Sequence, residues 1–220
     1  MESAVAVPGN RVRPRVLSDA GLWRLPGLIS AGLVWGLLTS FGQTYLPGPL
    51  VQLTNCYSVW LFISYFVGYL SVTGGLATVA GLLSVLAADV GFYIGMWAQF
   101  GIIGSWTGDT YYMIGALMFG PLLGLAGYFF KTRSRWATYG VALMASLFFS
   151  EALYRLSKTD VVTAGFSDGW YVFAILGVGF LLATLSRTRH QPLSLCSIIP
   201  LTAFAYVGVA LVLPVVLSLI

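Results

Sequence analysis

Long apolar runs, separated by short polar, charged or proline-bearing breaks, make up most of the chain. Each run is about 20 residues long, which is what a helix needs to cross a hydrocarbon layer of about 30 Å. The pattern predicts an all-α, polytopic membrane protein, a bundle of about seven transmembrane helices. The predicted helices cover about residues 25–45, 50–71, 75–98, 111–130, 136–156, 169–186 and 195–219.

Composition supports a single unit in the lipid. The chain is 58% hydrophobic and 8% charged, whereas soluble domains have about 25% charged residues. The 220 residues leave no room for a separate soluble domain beside seven spans. We therefore predict a cytoplasmic basic tail over residues 1–24 and one transmembrane helical domain over residues 25–220.

Basic residues indicate the orientation, because Lys and Arg concentrate in short cytoplasmic loops. The tail carries four Arg, and further basic clusters stand in "KTRSR" at 131–135 and "SRTRH" at 186–190. All three fall on one side if the break "SVTGG" at 71–75 is a turn, as its glycine pair favours. This predicts a multi-pass protein of the cell membrane, with the N-terminus cytoplasmic and the C-terminus outside.

Polar residues of four predicted helices share one depth in this topology. At a helical rise of about 1.5 Å per residue, six of them fall in the outer half of the bundle. The inner halves of the same helices carry no acid or base other than Tyr. We expect a polar pocket in the outer half, which opens outward or into the outer leaflet. The six residues are Gln43, Thr44, Asn55, Ser58, Asp89 and Glu151.

Asp89 and Glu151 are the candidate catalytic residues. An acid within a span costs about 2.5–3.5 kcal/mol on insertion scales, so it usually faces the bundle interior and serves a function. Arg155 follows Glu151 at i+4 and can keep it ionised, whereas Asp89 has no base nearby in sequence and is expected to stay neutral. The structural alternatives are an ion pair that ends a helix, for Glu151, and a hydrogen bond that joins two helices, for Asp89.

Aromatic and polar side chains near the two acids complete the predicted pocket. Most aromatic residues at this level are expected in an interfacial belt, but some lie at i+3 or i+4 from an acid. Asp109 ends a Gly-rich segment, 101–112, that is predicted as a loop and could act as a lid. The candidate substrate-binding residues are Gln43, Asn55, Ser58, Trp60, Tyr93, Trp97, Asp109, Phe148, Tyr154 and Arg155.

Other classes of site are not supported by the sequence. One His190 and the distant Cys56 and Cys196 form no metal-binding pattern, and no cofactor is predicted. The basic residues report topology, so we expect no nucleic-acid partner. Glycine pairs at GxxxG spacing, as in 32 with 36 and 91 with 95, are expected to pack helices within the chain.

Isolated carboxylic acids in an aromatic, apolar pocket suit acid-initiated chemistry on a lipophilic substrate. A neutral acid can donate a proton, and aromatic faces stabilise the carbocation that forms. In size, span count and paired intramembrane acids, Asp89 in "AADVGFY" and Glu151 in "FSEALYR", the chain resembles the small seven-span membrane terpene cyclases of meroterpenoid and indole-terpenoid pathways. The resemblance implies a polyprenyl or prenylated aromatic substrate and two acids as proton source. We expect Asp89 as proton donor, Glu151 as second acid or terminal base oriented by Arg155, and Asn55 and Tyr93 as orienting residues.

Other interpretations stay open. Substrate-capture subunits of energy-coupling-factor vitamin transporters are similar small bundles with an outward pocket, although they usually have about six spans; "LISAGLVWG" in the first span loosely matches their small-residue stripes. A membrane assembly subunit without pocket chemistry is a third possibility. In its Ala, Gly, Val and Arg usage the chain is also similar to multi-pass proteins of high-GC actinobacteria, for which no function is implied.

Overall fold

The fold is all-α. The computed structural model describes residues 22–101, 106–158, 169–185 and 191–207. For residues 106–112, 158 and 191–194 it describes the backbone only. Over these ranges there is no β-strand. In chain order the helices are α1 (Leu25–Tyr45), a 3₁₀ helix (Gly48–Asn55), α2 (Tyr57–Leu70), α3 (Gly74–Phe100), α4 (Trp106–Lys131), α5 (Ala137–Lys158), α6 (Trp170–Leu185) and α7 (Gln191–Val207).

Several of these helices identify a membrane protein. Within the described ranges, α1, α3 and the segment Met113–Lys131 of α4 are long and apolar enough to cross a bilayer, and the 3₁₀ helix with α2 adds a fourth if the bent pair counts as one span. The apolar segments of α6 and α7 are shorter. Helix α5 has 22 residues, but Glu151, Arg155 and Lys158 within it lower its mean hydropathy. Each of the seven predicted segments contains a helix, and the count of seven spans stays a prediction.

The predicted second span is broken, which is a correction to the continuous helix expected over 50–71. The 3₁₀ helix and α2 meet at an angle of 59°. Between them Cys56 has extended backbone angles, φ −141° and ψ 145°. The cause is local: the Thr54 hydroxyl donates to the Val51 carbonyl at 2.7 Å and Cys56 Sγ to the Leu53 carbonyl at 3.2 Å. Such side-chain to backbone bonds compete with the helical ladder.

The other predicted breaks have mixed outcomes. The turn expected at 71–75 is confirmed, because α2 ends at Leu70 and Thr73 caps α3 by accepting a hydrogen bond from the Leu76 N–H at 3.1 Å. The predicted loop over 101–112 is wrong in its second half, since α4 already begins at Trp106. Residues 102–105 lie outside the described residues.

Close helix packing inside the chain confirms the expected role of the glycine pairs. Helix α1 lies along α3, and α4 packs against both α2 and α3. A Cβ on Gly36 would overlap the carbonyl oxygen of Ala88, and one on Gly91 would overlap that of Leu33. Gly124 likewise meets the Ala77 carbonyl. These contacts bring α1, α3 and α4 to backbone distance, as small residues permit in membrane bundles.

One lysine joins α2 to α4 at the end of the bundle that holds the "KTRSR" segment. Lys131, the last residue of α4, donates to the carbonyl oxygens of Ser71 at 2.9 Å and of Leu70 at 3.5 Å. These carbonyls belong to the C-terminal end of α2, where a cation is favoured by the helix dipole. The contact fixes the ends of α2 and α4 at the same level.

The α1 to α3 contact generates a prediction about stability. Gly36→Ala should lower the free energy of unfolding by about 1–3 kcal/mol, because the new Cβ meets backbone atoms that cannot rotate away. The measurement is the midpoint of thermal unfolding of the purified protein in detergent. Gly27→Ala is the control on the same helix, since a Cβ there has no neighbour within 4 Å. Equal midpoints for the two variants would contradict the packing described.

Candidate functional site

The break before α2 exposes backbone groups, and nearby side chains satisfy them. Trp60 Nε1 donates to the Thr54 carbonyl at 2.8 Å, which turns the indole back over the end of the 3₁₀ helix. Trp60 and Ser58 are buried, and the Ser58 hydroxyl lies 3.6 Å from Cys56 Sγ. Two predicted pocket residues therefore help to fold the break itself.

A buried ion pair on α5 lies beside this break. Arg155 Nη2 is 3.0 Å from Glu151 Oε1, and Arg155 Nε donates to the same oxygen at 3.1 Å. The Glu151 side chain is 6% exposed and that of Arg155 is 16% exposed. The predicted i, i+4 pairing is confirmed, and the pair is largely withdrawn from solvent.

The guanidinium of Arg155 also reaches the 3₁₀ helix. Nη1 donates to Gln52 Oε1 at 2.6 Å, and Nη2 donates to the Asn55 carbonyl at 3.2 Å. On its other side the guanidinium lies over the ring of Phe173 on α6, 4.8 Å from the ring centroid. One cation thus connects α5, α6 and the end of the 3₁₀ helix.

The carboxylate of Glu151 lies at the first residue of α2. It accepts a hydrogen bond from the backbone N–H of Tyr57. A negative charge at a helix N-terminus is stabilised by the unpaired N–H groups and by the helix dipole. Arg155 therefore donates a hydrogen bond to a backbone carbonyl on one side of the break, and Glu151 accepts one from a backbone N–H on the other side. We call this set of residues, Gln52, Asn55, Tyr57, Glu151 and Arg155, the break cluster.

Asp89 has different surroundings. It is a buried residue of α3, one turn before Phe92, whose ring packs 5.4 Å from Trp60 and 5.7 Å from Tyr93. These contacts support the predicted common level of Asp89 and the first turn of α2. Asp89, Trp60 and Tyr93 therefore share one neighbourhood.

Asp89 and Glu151 are carried by different helices, and α2 is a neighbour of both. Helices α3 and α5 form no extended interface in the described part of the chain, whereas α2 packs against both. The first turn of α2 has contacts in both directions, since the Tyr57 N–H meets Glu151 while Trp60 meets Phe92, one turn from Asp89. A single pocket shared by both acids stays a prediction.

The remaining predicted residues are dispersed. Trp97 is 60% exposed, as a belt residue would be, and Gln43 and Tyr154 are half-buried. Phe148 is buried and its ring lies 6.4 Å from that of Phe180 on α6. Asp109 lies within α4, and its side chain is outside the described residues.

Two members of the break cluster were missed by sequence reasoning. Gln52 accepts from Arg155, and the Tyr57 N–H donates to Glu151. A signal for Gln52 existed, because it is a polar residue within an apolar run at i−3 from Asn55. The described side chains contain no group of three or more His, Cys, Asp or Glu that could hold a metal ion.

The break cluster generates a second prediction. Glu151→Gln should lower the free energy of unfolding by about 3–5 kcal/mol, because it removes the carboxylate that pairs with the largely buried guanidinium. Thermal unfolding in detergent is the measurement, and Ser157→Ala, at an exposed position of the same helix, is the control.

The double variant Glu151→Gln with Arg155→Gln separates pairing from other effects. If the two side chains act as a pair, the double variant should be no less stable than Glu151→Gln alone. Strictly additive losses would show instead that the two residues act independently.

Comparison with known proteins gives a family for the chain. No curated protein and no solved structure matches it. A family model does match, over residues 18–215, and this range includes every described helix from α1 to α7. The break cluster and Asp89 both lie inside the matched range. The chain therefore belongs to DUF6518, a family of unknown function.

Proposed function

We propose that the chain is a membrane-embedded enzyme in which the carboxyl group of Asp89 starts the cyclisation of a lipophilic polyprenyl or prenylated aromatic substrate. One observation carries the proposal: a buried acid lies beside the contacting rings of Trp60, Phe92 and Tyr93. An apolar site keeps a carboxylic acid neutral, so that it can donate its proton. Aromatic faces then attract the cation by about 0.5–2 kcal/mol per contact.

The chemistry needs no co-reactant. Asp89 transfers its proton to a terminal alkene or epoxide, and the resulting carbocation is attacked by the next double bond, so that one C–C σ bond forms as one π bond is lost. Elimination from the last cation releases one proton, which restores the Asp89 carboxyl group directly or through water. The product is an isomer of the substrate.

Glu151 has a different role in this proposal from the second acid or terminal base expected from the sequence. Its side chain already accepts from Arg155 and from the Tyr57 N–H, so we assign the proton transfer to Asp89 alone. Glu151 is a positioning residue: it holds the first turn of α2, and that turn carries Trp60.

The proposal includes the place of the protein in the cell. We assign it to the cell membrane, with the N-terminus cytoplasmic, because the three basic clusters then lie inside. Lys131 at the joined ends of α2 and α4 agrees with this arrangement, since those ends should share one side. A substrate dissolved in the bilayer would reach the helices laterally.

Catalysis by Asp89 is tested with protein in lipid nanodiscs and a geranylgeranylated phenol, with its terminal epoxide as a second substrate. Asp89→Asn should reduce formation of the isomeric product by a factor of about 10² or more, because it removes the acidic proton and keeps the shape. Chromatography with mass detection is the measurement. In D₂O the product from the alkene should gain one deuterium.

Ser84→Ala is the matched control for this variant. Ser84 is buried on the same helix, and its hydroxyl donates to the Gly81 carbonyl of that helix. Product formation should be unchanged in Ser84→Ala. Turnover that persists in Asp89→Asn would rule out Asp89 as the acid, and the absence of any isomeric product from the wild-type protein would count against these substrates.

A second candidate function is capture of a small polar solute, and the broken span favours it. Irregular backbone at membrane depth is tolerated where it is buried in protein or lines a cavity, and transporters often bind solutes at broken helices. Here the exposed Asn55 lies at a 59° bend. Coupling to a partner through "LISAGLVWG" is disfavoured, because Gly32 and Gly36 of this segment face α3.

Solute capture predicts a bound molecule. Protein extracted in a mild detergent should show an added mass of a few hundred daltons in native mass spectrometry, and Asn55→Ala should reduce its occupancy. Ser30→Ala, an exposed polar position near the opposite end of α1, is the control and should leave occupancy unchanged. Spectra without any added mass would contradict solute capture and leave the enzymatic proposal unaffected.

A further inference from the structure

A cluster of seven aromatic rings lies on the face of α2 that turns away from Asp89. Its centre is Phe180 on α6, whose ring is 5.6 Å from Tyr65, 6.5 Å from Phe62 and 6.4 Å from Phe148. Other rings extend the cluster. The centroid of the Tyr65 ring lies 6.2 Å from that of Phe130, and the centroid of the Phe62 ring lies 6.2 Å from that of Trp35. We call this set the Phe180 cluster; its members are Trp35, Phe62, Tyr65, Tyr69, Phe130, Phe148 and Phe180.

The hydroxyl of Tyr65 is the polar exception inside this cluster. Tyr65 is 4% exposed, and its hydroxyl oxygen is buried with no hydrogen-bond partner in the described part of the chain. A buried tyrosine hydroxyl usually has a partner, because an unpaired polar group in an apolar environment is destabilising. The exception therefore points to a group that binds there.

The surroundings of Tyr65 restrict what this group can be. Tyr65 lies about 12 Å along α2 from Tyr57 and about 7.5 Å from Leu70. Its ring contacts the rings of Phe130 and Phe180. A matching ligand therefore carries an acceptor oxygen on a largely apolar and aromatic body.

The cluster is accessible from the side. Trp35, Phe62 and Phe180 are only partly buried, although all three pack against the buried core. They come from α1, α2 and α6, so the partly exposed edge of the cluster lies where these three helices meet. A lipid-soluble molecule can approach this edge from the bilayer.

We propose that the Phe180 cluster binds a lipophilic ligand with a hydrogen-bond-accepting oxygen on an aromatic or quinonoid ring, and that the Tyr65 hydroxyl donates to this oxygen. The aromatic rings supply edge-to-face and stacking contacts with the ring of the ligand. This site is separate from Asp89, because Tyr65 contacts α4 and α6 whereas Trp60 contacts α3. The inference therefore does not depend on the enzymatic proposal.

Decyl-p-benzoquinone is the probe, and dodecylbenzene is the matched probe without oxygen. Quinone binding to protein in nanodiscs is measured by quenching of tryptophan fluorescence, since Trp35 belongs to the cluster; dodecylbenzene binding is measured by competition. Tyr65→Phe should weaken quinone binding about tenfold and leave dodecylbenzene binding unchanged, which corresponds to the loss of one hydrogen bond. Tyr139→Phe removes a hydroxyl from an exposed ring of α5 outside the cluster and should bind the quinone as the wild type does.

The ligand-free protein gives an independent readout. An unpaired hydroxyl does not stabilise the empty protein, so Tyr65→Phe should unfold at the same temperature as the wild type or at a higher one. A lower unfolding temperature would show that the hydroxyl has a structural partner and would overturn the proposal. Equal quinone affinity in Tyr65→Phe and wild type, or no quinone binding by the wild type, would overturn it as well. Asp89→Asn should bind the quinone normally.

Discussion

The buried ion pair between Glu151 and Arg155 makes the break before α2 possible. A helix that stops inside an apolar bundle leaves carbonyl and N–H groups unpaired, and each costs about 1–3 kcal/mol when buried. Arg155 binds the Asn55 carbonyl on one side of the break, and Glu151 binds the Tyr57 N–H on the other. The two charges also neutralise each other, so neither is left alone in a low-dielectric environment.

The same pair is half of a larger arrangement around α2. Glu151 lies at the N-terminus of this helix and Lys131 at its C-terminus, so each end of the helix dipole faces a charge of the opposite sign. Both charges come from neighbouring helices, α5 and α4. Helix α2 is thereby held along its axis at both ends, and the side chains that it carries keep fixed positions between α3 and α6.

The sequence predicts well where the helices lie along the chain, and poorly which side chains contact each other. Hydropathy and helical rise are enough to locate the seven segments and to place Asn55 and Glu151 at one level, because both depend on position along the chain alone. The break at Cys56 was missed because it arises from local bonds by Thr54, Cys56 and Trp60, which leave no trace in hydropathy. Depth also says nothing of direction around a helix axis, so a shared level for Asp89 and Glu151 does not by itself place them in one pocket.

The groups around each acid suit different roles. Glu151 contacts a cation and a helix N-terminus, and both interact favourably with a carboxylate. Asp89 lies one turn from Phe92, whose ring contacts Trp60 and Tyr93, and the proposed chemistry uses these rings to stabilise a cation. Tyr65 lies on α2, as Trp60 does. The acid chemistry proposed at Asp89 and the ligand binding proposed at Tyr65 therefore share one mechanical requirement, which is that the break cluster keeps α2 in place.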